Sequence, residues 1–199
     1  MIETCIETIK ALDGEIYHID YHQKRYESTL KYFYGIVNEI CKLQEYLHPP
    51  KNGLYRCRVV YSHRGIVDVS YHPYKKREIN KLKIIINNDI TYKYKSTDRE
   101  LLNKAYELRE EADDVIIVKN GYITDTTIAN IALQKDGIWY TPQTPLLRGT
   151  TRQRLLDAGK IKEAKINIKD IKTYSQIALL NSMIDFDIIS KRDIKDIIC

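Results

Sequence analysis

The stretch that decides the fold is "GYITDTTIANIALQKDGIWYTPQTPLLRGTTRQRLL", residues 121–156. Asn120-Gly121 and Asp136-Gly137 are strong tight-turn signals, and the β-branched and aromatic residues between them predict strands joined by hairpins. Gly149 then precedes two threonines that open a short helix, which ends near Gly159. The start of a helix offers free backbone N–H groups and a favourable dipole to an anion. An ordinary helix start is the alternative for this segment.

Asp125 follows the first of these hairpins, so its carboxylate is held on a rigid strand. An acid in such a place could form an ion pair with a cationic ring nitrogen. The alternative is a turn-forming aspartate next to Thr126.

Upstream of this stretch, Asp13-Gly14 predicts a further hairpin, and apolar residues at helical spacing predict a helix over 22–47 that the proline pair 49–50 ends. His22 and Arg25 are one turn apart, so they lie on the same side of that helix. Arginine suits phosphate because its planar fork donates two hydrogen bonds. A surface arginine is the alternative.

The segment "ITYKYKSTDRELLNKA", residues 90–105, contains two lysines at the predicted end of a strand. Lys93 and Lys95 are two residues apart and would therefore point to the same side. A helix is predicted near 97–111, with Thr97 and Glu100 as its capping box. A lysine reacts as a nucleophile or base only as the neutral amine.

Composition excludes several classes of protein. The chain has 199 residues, and its net charge of +5 comes from basic residues interleaved with acids, which disfavours nucleic-acid binding. The spacing of Cys5, Cys41, Cys57 and Cys199 does not predict a metal site. No signal peptide or membrane-length apolar run is present, which predicts a reduced, cytoplasmic protein that binds no membrane. The polar run 75–81 predicts two domains, 1–80 and 81–199.

In this order, the motifs resemble those of the class IV aminotransferase family, whose members carry pyridoxal 5'-phosphate (PLP). The matching elements are K-x-x-x-R at Lys95–Arg99, D-x-x-x-x-N at Asp125–Asn130, and T-P-x-x-P-L-L-x-G-T-x-R at Thr141–Arg152. The resemblance implies an α+β protein of fold type IV. It implies a small N-terminal α/β sandwich over 1–80 and a β-rich C-terminal pseudo-barrel with helices over 81–199.

The resemblance also implies roles for individual residues. Lys95, four residues before Arg99, is the catalytic lysine that binds PLP covalently. Lys93 either tunes the site electrostatically or is a charged neighbour at its rim. The other implied cofactor contacts are the phosphate-binding Arg25, the acid Asp125 at the pyridine nitrogen, the backbone N–H groups of Thr150 and Thr151, and the phosphate contacts Asn181 and Ser182. Asp125 stands where the family usually has glutamate, and Asn130 shapes its turn. Arg56 and Arg58 would meet a substrate carboxylate, or else face solvent.

The family contains enzymes with different reactions. "KSTDR" and the short chain resemble aminodeoxychorismate lyase, a folate-biosynthesis enzyme that makes 4-aminobenzoate and pyruvate from 4-amino-4-deoxychorismate. Glu100 replaces the tyrosine of branched-chain members, which disfavours that group. The alternatives are an aminotransferase for a branched-chain or D-amino acid, and a PLP-binding dimer with little turnover. In the enzymatic cases, the expected partners are a small-molecule amino substrate and a second copy of the chain in a homodimer.

Overall fold

The computed structural model describes residues 4–35, 40–189, 194, 197 and 198. The chain divides into two compact units, the first of Met1–Lys76 with Tyr94–Asp98 and the second of Arg77–Lys93 with Arg99–Cys199. The predicted domain boundary at residue 80 stays a prediction. These units differ from it chiefly in placing the segment around Lys95 with the first unit.

The first unit contains an antiparallel sheet covered by one helix. The strand order is β2-β1-β3-β4, and the elements are β1 (Cys5–Leu12), β2 (Glu15–Ile16), α1 (Ile19–Tyr34), β3 (Leu54–Ser62) and β4 (Gly65–Pro73). The hairpin predicted at Asp13-Gly14 is confirmed, since both turn residues have positive φ and β1 pairs with β2. Tyr26 and Leu30 of α1 are buried in the same core as Ile9 of β1.

The helix predicted over 22–47 is shorter than the apolar spacing suggested. It ends at Tyr34, where Gly35 adopts a φ of +80° that terminates the helical backbone. Leu43–Tyr46 forms a separate 3-10 helix, and Ile36, which belonged to the predicted apolar side, lies outside the described residues. The prediction that residues 49–50 end this helix was therefore wrong.

The strand predicted to end at Lys93 and Lys95 is absent from the described structure of residues 87–99. The preceding strand ends at Ile86, and backbone bonds to the first strand hold the segment instead. The N–H of Ile6 donates to the carbonyl oxygen of Lys95 at 2.8 Å, and that of Thr97 donates to Thr4 at 2.9 Å. The inference that both lysines point to the same side loses its basis, because it required strand geometry.

The predicted capping box at Thr97 and Glu100 is also wrong. Helix α2 spans Glu100–Glu107, and its N-cap is Arg99, which makes no side-chain cap bond. The hydroxyl of Thr97 donates to the carbonyl oxygen of Thr4 at 3.0 Å. The hydroxyl of Thr97 therefore bonds to a residue distant in sequence and does not cap the helix.

The described part of the second unit contains two sheets, two α-helices and a 3-10 helix of six residues. The sheets have strand orders β10-β9-β8-β11-β12 and β5-β6-β7. The hairpins predicted at Asn120-Gly121 and Asp136-Gly137 are confirmed. The remaining elements are β5 (Leu82–Ile86), β6 (Asp114–Lys119), β7 (Tyr122–Ile123), β8 (Asn130–Lys135), β9 (Ile138–Pro142), α3 (Thr150–Asp157), β10 (Lys162–Ala164), a 3-10 helix (Ile168–Thr173), β11 (Gln176–Asn181) and β12 (Asp185–Ile188).

Within the described ranges, no helix has the length and apolar character that crossing a membrane would require.

Candidate functional site

In the second unit, Asp125 is a buried carboxylate in a polar network. It is 4% exposed. Its Oδ1 accepts a hydrogen bond from Asn130 Nδ2 at 2.7 Å, and its Oδ2 accepts one from the backbone N–H of Leu147 at 2.9 Å. Burial raises the pKa of Asp125 to about 6, although these hydrogen bonds and the charge of Arg152 act in the opposite direction. Asp125 therefore changes charge close to neutral pH.

Asn130 joins the Asp125 turn to the loop before helix α3. Its Nδ2 also donates to the carbonyl oxygen of Leu147 at 2.8 Å. A Cβ at position 149 would lie 2.1 Å from Asn130 Oδ1, so the glycine there leaves room for the amide. The prediction that Asn130 shapes the turn agrees with this geometry.

Helix α3 begins with the two threonines predicted to bind phosphate. Thr150 and Thr151 are buried, and Gly149 at the N-cap supplies no side-chain acceptor. The first N–H groups of a helix have no partner within the helix. This helix start is therefore suited to an anion.

Arg152 holds the first turn of α3 on the adjacent strands. It is 1% exposed, and its Nη2 donates to Pro142 O at 2.8 Å and to Glu163 Oε1 at 2.6 Å. The final arginine of the sequence motif therefore positions the helix.

Asn181 and Ser182 lie at the turn between β11 and β12. The side-chain oxygen of Asn181 accepts hydrogen bonds from the N–H groups of Met183 and Ile184, at 2.9 and 3.1 Å. The Asn181 side chain therefore shapes this turn, and its predicted contact with phosphate stays a prediction, as does that of Ser182.

In the first unit, Arg25 is held by a carboxylate that the sequence interpretation missed. Glu7 is 0% exposed, and it accepts hydrogen bonds from Arg25 Nε at 2.8 Å and from Arg25 Nη2 at 2.5 Å. Its Oε2 also lies 2.6 Å from His22 Nδ1. Arg25 and His22 thus share one partner, which agrees with their predicted placement on the same side of the helix.

Arg25 and His22 shift the pKa of Glu7, and Glu7 and Arg25 shift that of His22. Burial acts to raise the pKa of Glu7, but the charge of Arg25 and the hydrogen bonds from His22 and Arg25 outweigh it, so the pKa is about 2. Burial lowers the pKa of His22, and the positive charges of Arg25 and Lys95 lower it further, against the effect of Glu7. At neutral pH, Glu7 is therefore ionised, and burial favours the neutral form of His22.

Lys95 lies in this part of the molecule. Its charge acts on His22, and its carbonyl oxygen accepts the N–H of Ile6 in β1. Lys93, by contrast, lines a cavity of the second unit. The two lysines, two residues apart in sequence, therefore belong to different units.

Arg56 and Arg58 lie on β3, on the opposite side from the buried residues Cys57 and Val59. Arg56 is exposed and Arg58 is half-buried. The alternation confirms that both arginines share one side of the strand. Their contact with a substrate carboxylate stays a prediction.

A second set of missed residues fixes the loop after Asp125. Thr127 Oγ1 donates to the buried Asp114 Oδ1 at 2.7 Å, and Arg99 Nη2 donates to the carbonyl oxygen of Thr127 at 2.8 Å. Burial raises the pKa of Asp114, although its hydrogen bonds and the charge of Arg77 oppose this effect. The arginine of K-x-x-x-R thus contacts the loop of the D-x-x-x-x-N motif.

One sequence signal could have revealed Glu7. In "CIETIKAL" the apolar residues Cys5, Ile9 and Ala11 alternate on one side of the strand, and Glu7 falls on that same side. An acid among core positions requires a partner.

Comparison with known families decides the family of this chain. The sequence model of "Amino-transferase class IV" matches residues 4–191. The chain belongs to the class IV aminotransferase family. This is a family of PLP-dependent enzymes, so the predictions of the family, of fold type IV and of an enzyme are confirmed.

The similarity extends over nearly the whole chain. An uncharacterised protein of Haemophilus influenzae is 36% identical over 181 residues, which are 89% of this chain and 96% of that protein. A Haemophilus somnus crystal structure, described as a "putative 4-amino-4-deoxychorismate lyase", is 34% identical with a TM-score of 0.84, covering 91% of this chain and 96% of that one. A PLP-bound "hypothetical aminotransferase" from Mycobacterium tuberculosis, 17% identical, covers 96% and 82% at a TM-score of 0.78, which shows a shared fold.

Proposed function

We propose that this chain binds PLP and converts 4-amino-4-deoxychorismate into 4-aminobenzoate and pyruvate, a step of folate biosynthesis. The observation that carries the choice of reaction is the similarity to the Haemophilus somnus structure, because it extends over 96% of that short chain. The motif "KSTDR" around Lys95 also resembles the lyase members of the family.

The residues present fit PLP. Lys95 supplies a primary amine, and its positive charge lowers the pKa of His22. Glu7 contacts both His22 and Arg25. The second unit supplies a buried acid, Asp125, and a helix start without a side-chain cap. We assign Lys95 to the aldehyde carbon, Asp125 to the ring nitrogen, and Arg25 with the start of α3 to the phosphate.

Each residue then has a defined task. Bound PLP supplies an aldehyde that captures the substrate amine and a ring that delocalises the charge left on the adjacent carbon. Lys95 Nζ takes the proton from the carbon that bears the amino group. Asp125, once ionised, would hold a proton on the ring nitrogen. Cleavage of the bond between the ring carbon and the enolpyruvyl oxygen, with a proton added to the enol carbon, would release pyruvate and leave the aromatic product.

The test compares two lysine variants. Purified wild-type protein with PLP should be yellow, and borohydride reduction should attach the cofactor to Lys95. Lys95→Ala should remove the visible band and pyruvate release from 4-amino-4-deoxychorismate, whereas Lys93→Ala should retain both. Attachment of the cofactor to Lys93 would contradict the assignment of Lys95, which rests on its position four residues before Arg99.

Product analysis separates this reaction from the family's other activities. Release of pyruvate and 4-aminobenzoate in equal amounts supports the lyase. Transfer of an amino group from a D- or branched-chain amino acid to a 2-oxo acid, without 4-aminobenzoate, would replace the lyase by an aminotransferase. A yellow protein that does neither would be a PLP-binding protein with little turnover.

The proposal includes a cytoplasmic homodimer. Members of this family typically build each active site near a subunit interface. Two small units bury modest apolar cores, and pairing of two chains would increase that burial.

A further inference from the structure

The second unit contains a cavity of about 520 Å³ that the proposed function leaves unused. Three lysines from three separate segments line it, namely Lys93, Lys119 and Lys165, and no aspartate or glutamate is among the described residues of its wall. None of the residues assigned to PLP lines it. We name it the lysine cavity.

Lys119 has a fixed position in this wall. It is half-buried, and its Nζ donates to the carbonyl oxygen of Ile90 at 2.8 Å. A backbone carbonyl leaves the ammonium charge uncompensated. In contrast, Lys83 and Lys104 form ion pairs with Glu110 and Glu100.

Lys119 and Lys165 form no ion pair with a carboxylate of any described residue within 4.0 Å. The lysine cavity therefore carries an excess of positive charge. In a concave site, charges of one sign strengthen one another and attract small ions of the opposite sign.

The rest of the wall is suited to an organic body. Ile90, Pro145 and Leu146 are apolar, and Tyr92 and Tyr122 contribute aromatic rings. The volume lies within the roughly 300–1,000 Å³ range of small-molecule sites. A hydrated inorganic ion would leave these surfaces without contacts.

We propose that the lysine cavity binds a small organic anion with two carboxylate or phosphate groups on an aromatic or aliphatic body. Lys119 holds one anionic group, and Lys165 at the exposed edge holds the other.

The probe is isophthalate, an aromatic dicarboxylate, in isothermal titration calorimetry with isophthalamide as its neutral match. Isophthalate should bind the wild-type protein with a Kd below about 1 mM at low salt, and more weakly as salt rises. Isophthalamide should not bind measurably. Amide chemical shifts of Lys119 and Tyr122 should move on titration.

Variants locate the binding. Lys119→Gln should weaken isophthalate binding at least about tenfold, which equals about 1.4 kcal/mol. Lys165→Gln should weaken it less, because an exposed charge is screened by solvent. Lys104→Gln, an exposed lysine of α2 outside the cavity, is the matched control and should bind as the wild type does.

Three results would overturn the proposal: no binding at millimolar isophthalate, equal binding of isophthalamide, or unchanged affinity in Lys119→Gln. The last would arise if isophthalate occupied the PLP site. Lys95→Ala should bind isophthalate normally, so failure of the lyase proposal and failure of this one are distinguishable.

Discussion

Replacing Glu7 with glutamine should lower the free energy of unfolding by about 3 kcal/mol at neutral pH. Glu7 is 0% exposed and contacts both Arg25 and His22 through charge-assisted or polar hydrogen bonds. Glutamine keeps the shape but offers one acceptor oxygen and no charge. Arg25 would then retain its charge with no ionised partner at this position, and removing one partner of a buried ion pair costs about 3–5 kcal/mol.

The pKa of Glu7 leads to a similar magnitude. The difference between the ordinary value of 4.5 and the folded value of about 2 corresponds to about 3 kcal/mol. A lowered folded pKa means that this stabilisation is fully present above pH 4.5. It is lost as the pH falls from 4.5 toward about 2, because the carboxylate then becomes protonated in the folded protein.

Urea unfolding of both proteins, followed by far-UV circular dichroism, would measure this difference from neutral pH to about pH 3. The single tryptophan, Trp139, lies in the second unit and is a less direct probe. Glu27→Gln is the matched control because Glu27 is exposed on the same helix as Arg25. It should change stability by less than about 0.5 kcal/mol.

Two results would refute the reasoning. One is a loss below about 1 kcal/mol at neutral pH, which would place the pair among weak surface pairs. The other is a loss that does not decrease at acidic pH. A double-mutant cycle with Arg25→Met should show a coupling above about 1 kcal/mol, and additive effects would show that the pair does not interact.

Three further predictions concern the second unit and assembly. PLP affinity should rise with pH through about 6 as Asp125 ionises, and Asp125→Asn should abolish this rise and lower turnover at least about a hundredfold. The control Asp157→Asn, at an exposed position, should change neither property. Normal turnover in Asp125→Asn would show that another acid holds the proton on the ring nitrogen. Gly149→Ala should lower the free energy of unfolding in urea by about 1–3 kcal/mol, because the added methyl group displaces the amide of Asn130. The same substitution should lower it little in an Asn130→Ala background. Equal losses in both backgrounds would exclude a clash with Asn130. Light scattering across a dilution series should give a dimer, and an active yellow monomer would contradict it.

Local sequence was enough to predict much of the second unit. The two hairpins of residues 114–142 follow from two-residue turns at Asn120-Gly121 and Asp136-Gly137, where the asparagine or aspartate and the glycine all adopt positive φ. Helix α3 follows from residues within its own span. These features depend on neighbours along the chain, so periodicity and turn chemistry are sufficient.

The sequence motifs predicted a set of candidate site residues, but they did not predict the contacts that hold those residues in place. The motifs indicated Lys95, Asp125 and the start of α3. They did not reveal that Asp125 accepts the N–H of Leu147, or that Arg99 donates to the carbonyl oxygen of Thr127. These partners are 22 and 28 residues away in sequence, and no local pattern brings such groups together.

The sequence by itself indicated the family of this chain, and it predicted the lysine, the acid and the helix start that we propose bind PLP, because residue identity and spacing along the chain define a motif. Only the tertiary structure decided that Glu7 is buried against Arg25, and that Lys93 and Lys95 lie in different surroundings. The backbone carbonyl of Lys95 accepts a hydrogen bond from Ile6 in β1, which lies 89 residues earlier in the chain. Burial and long-range hydrogen bonds depend on which elements pack together, and that arrangement exists only in the folded chain.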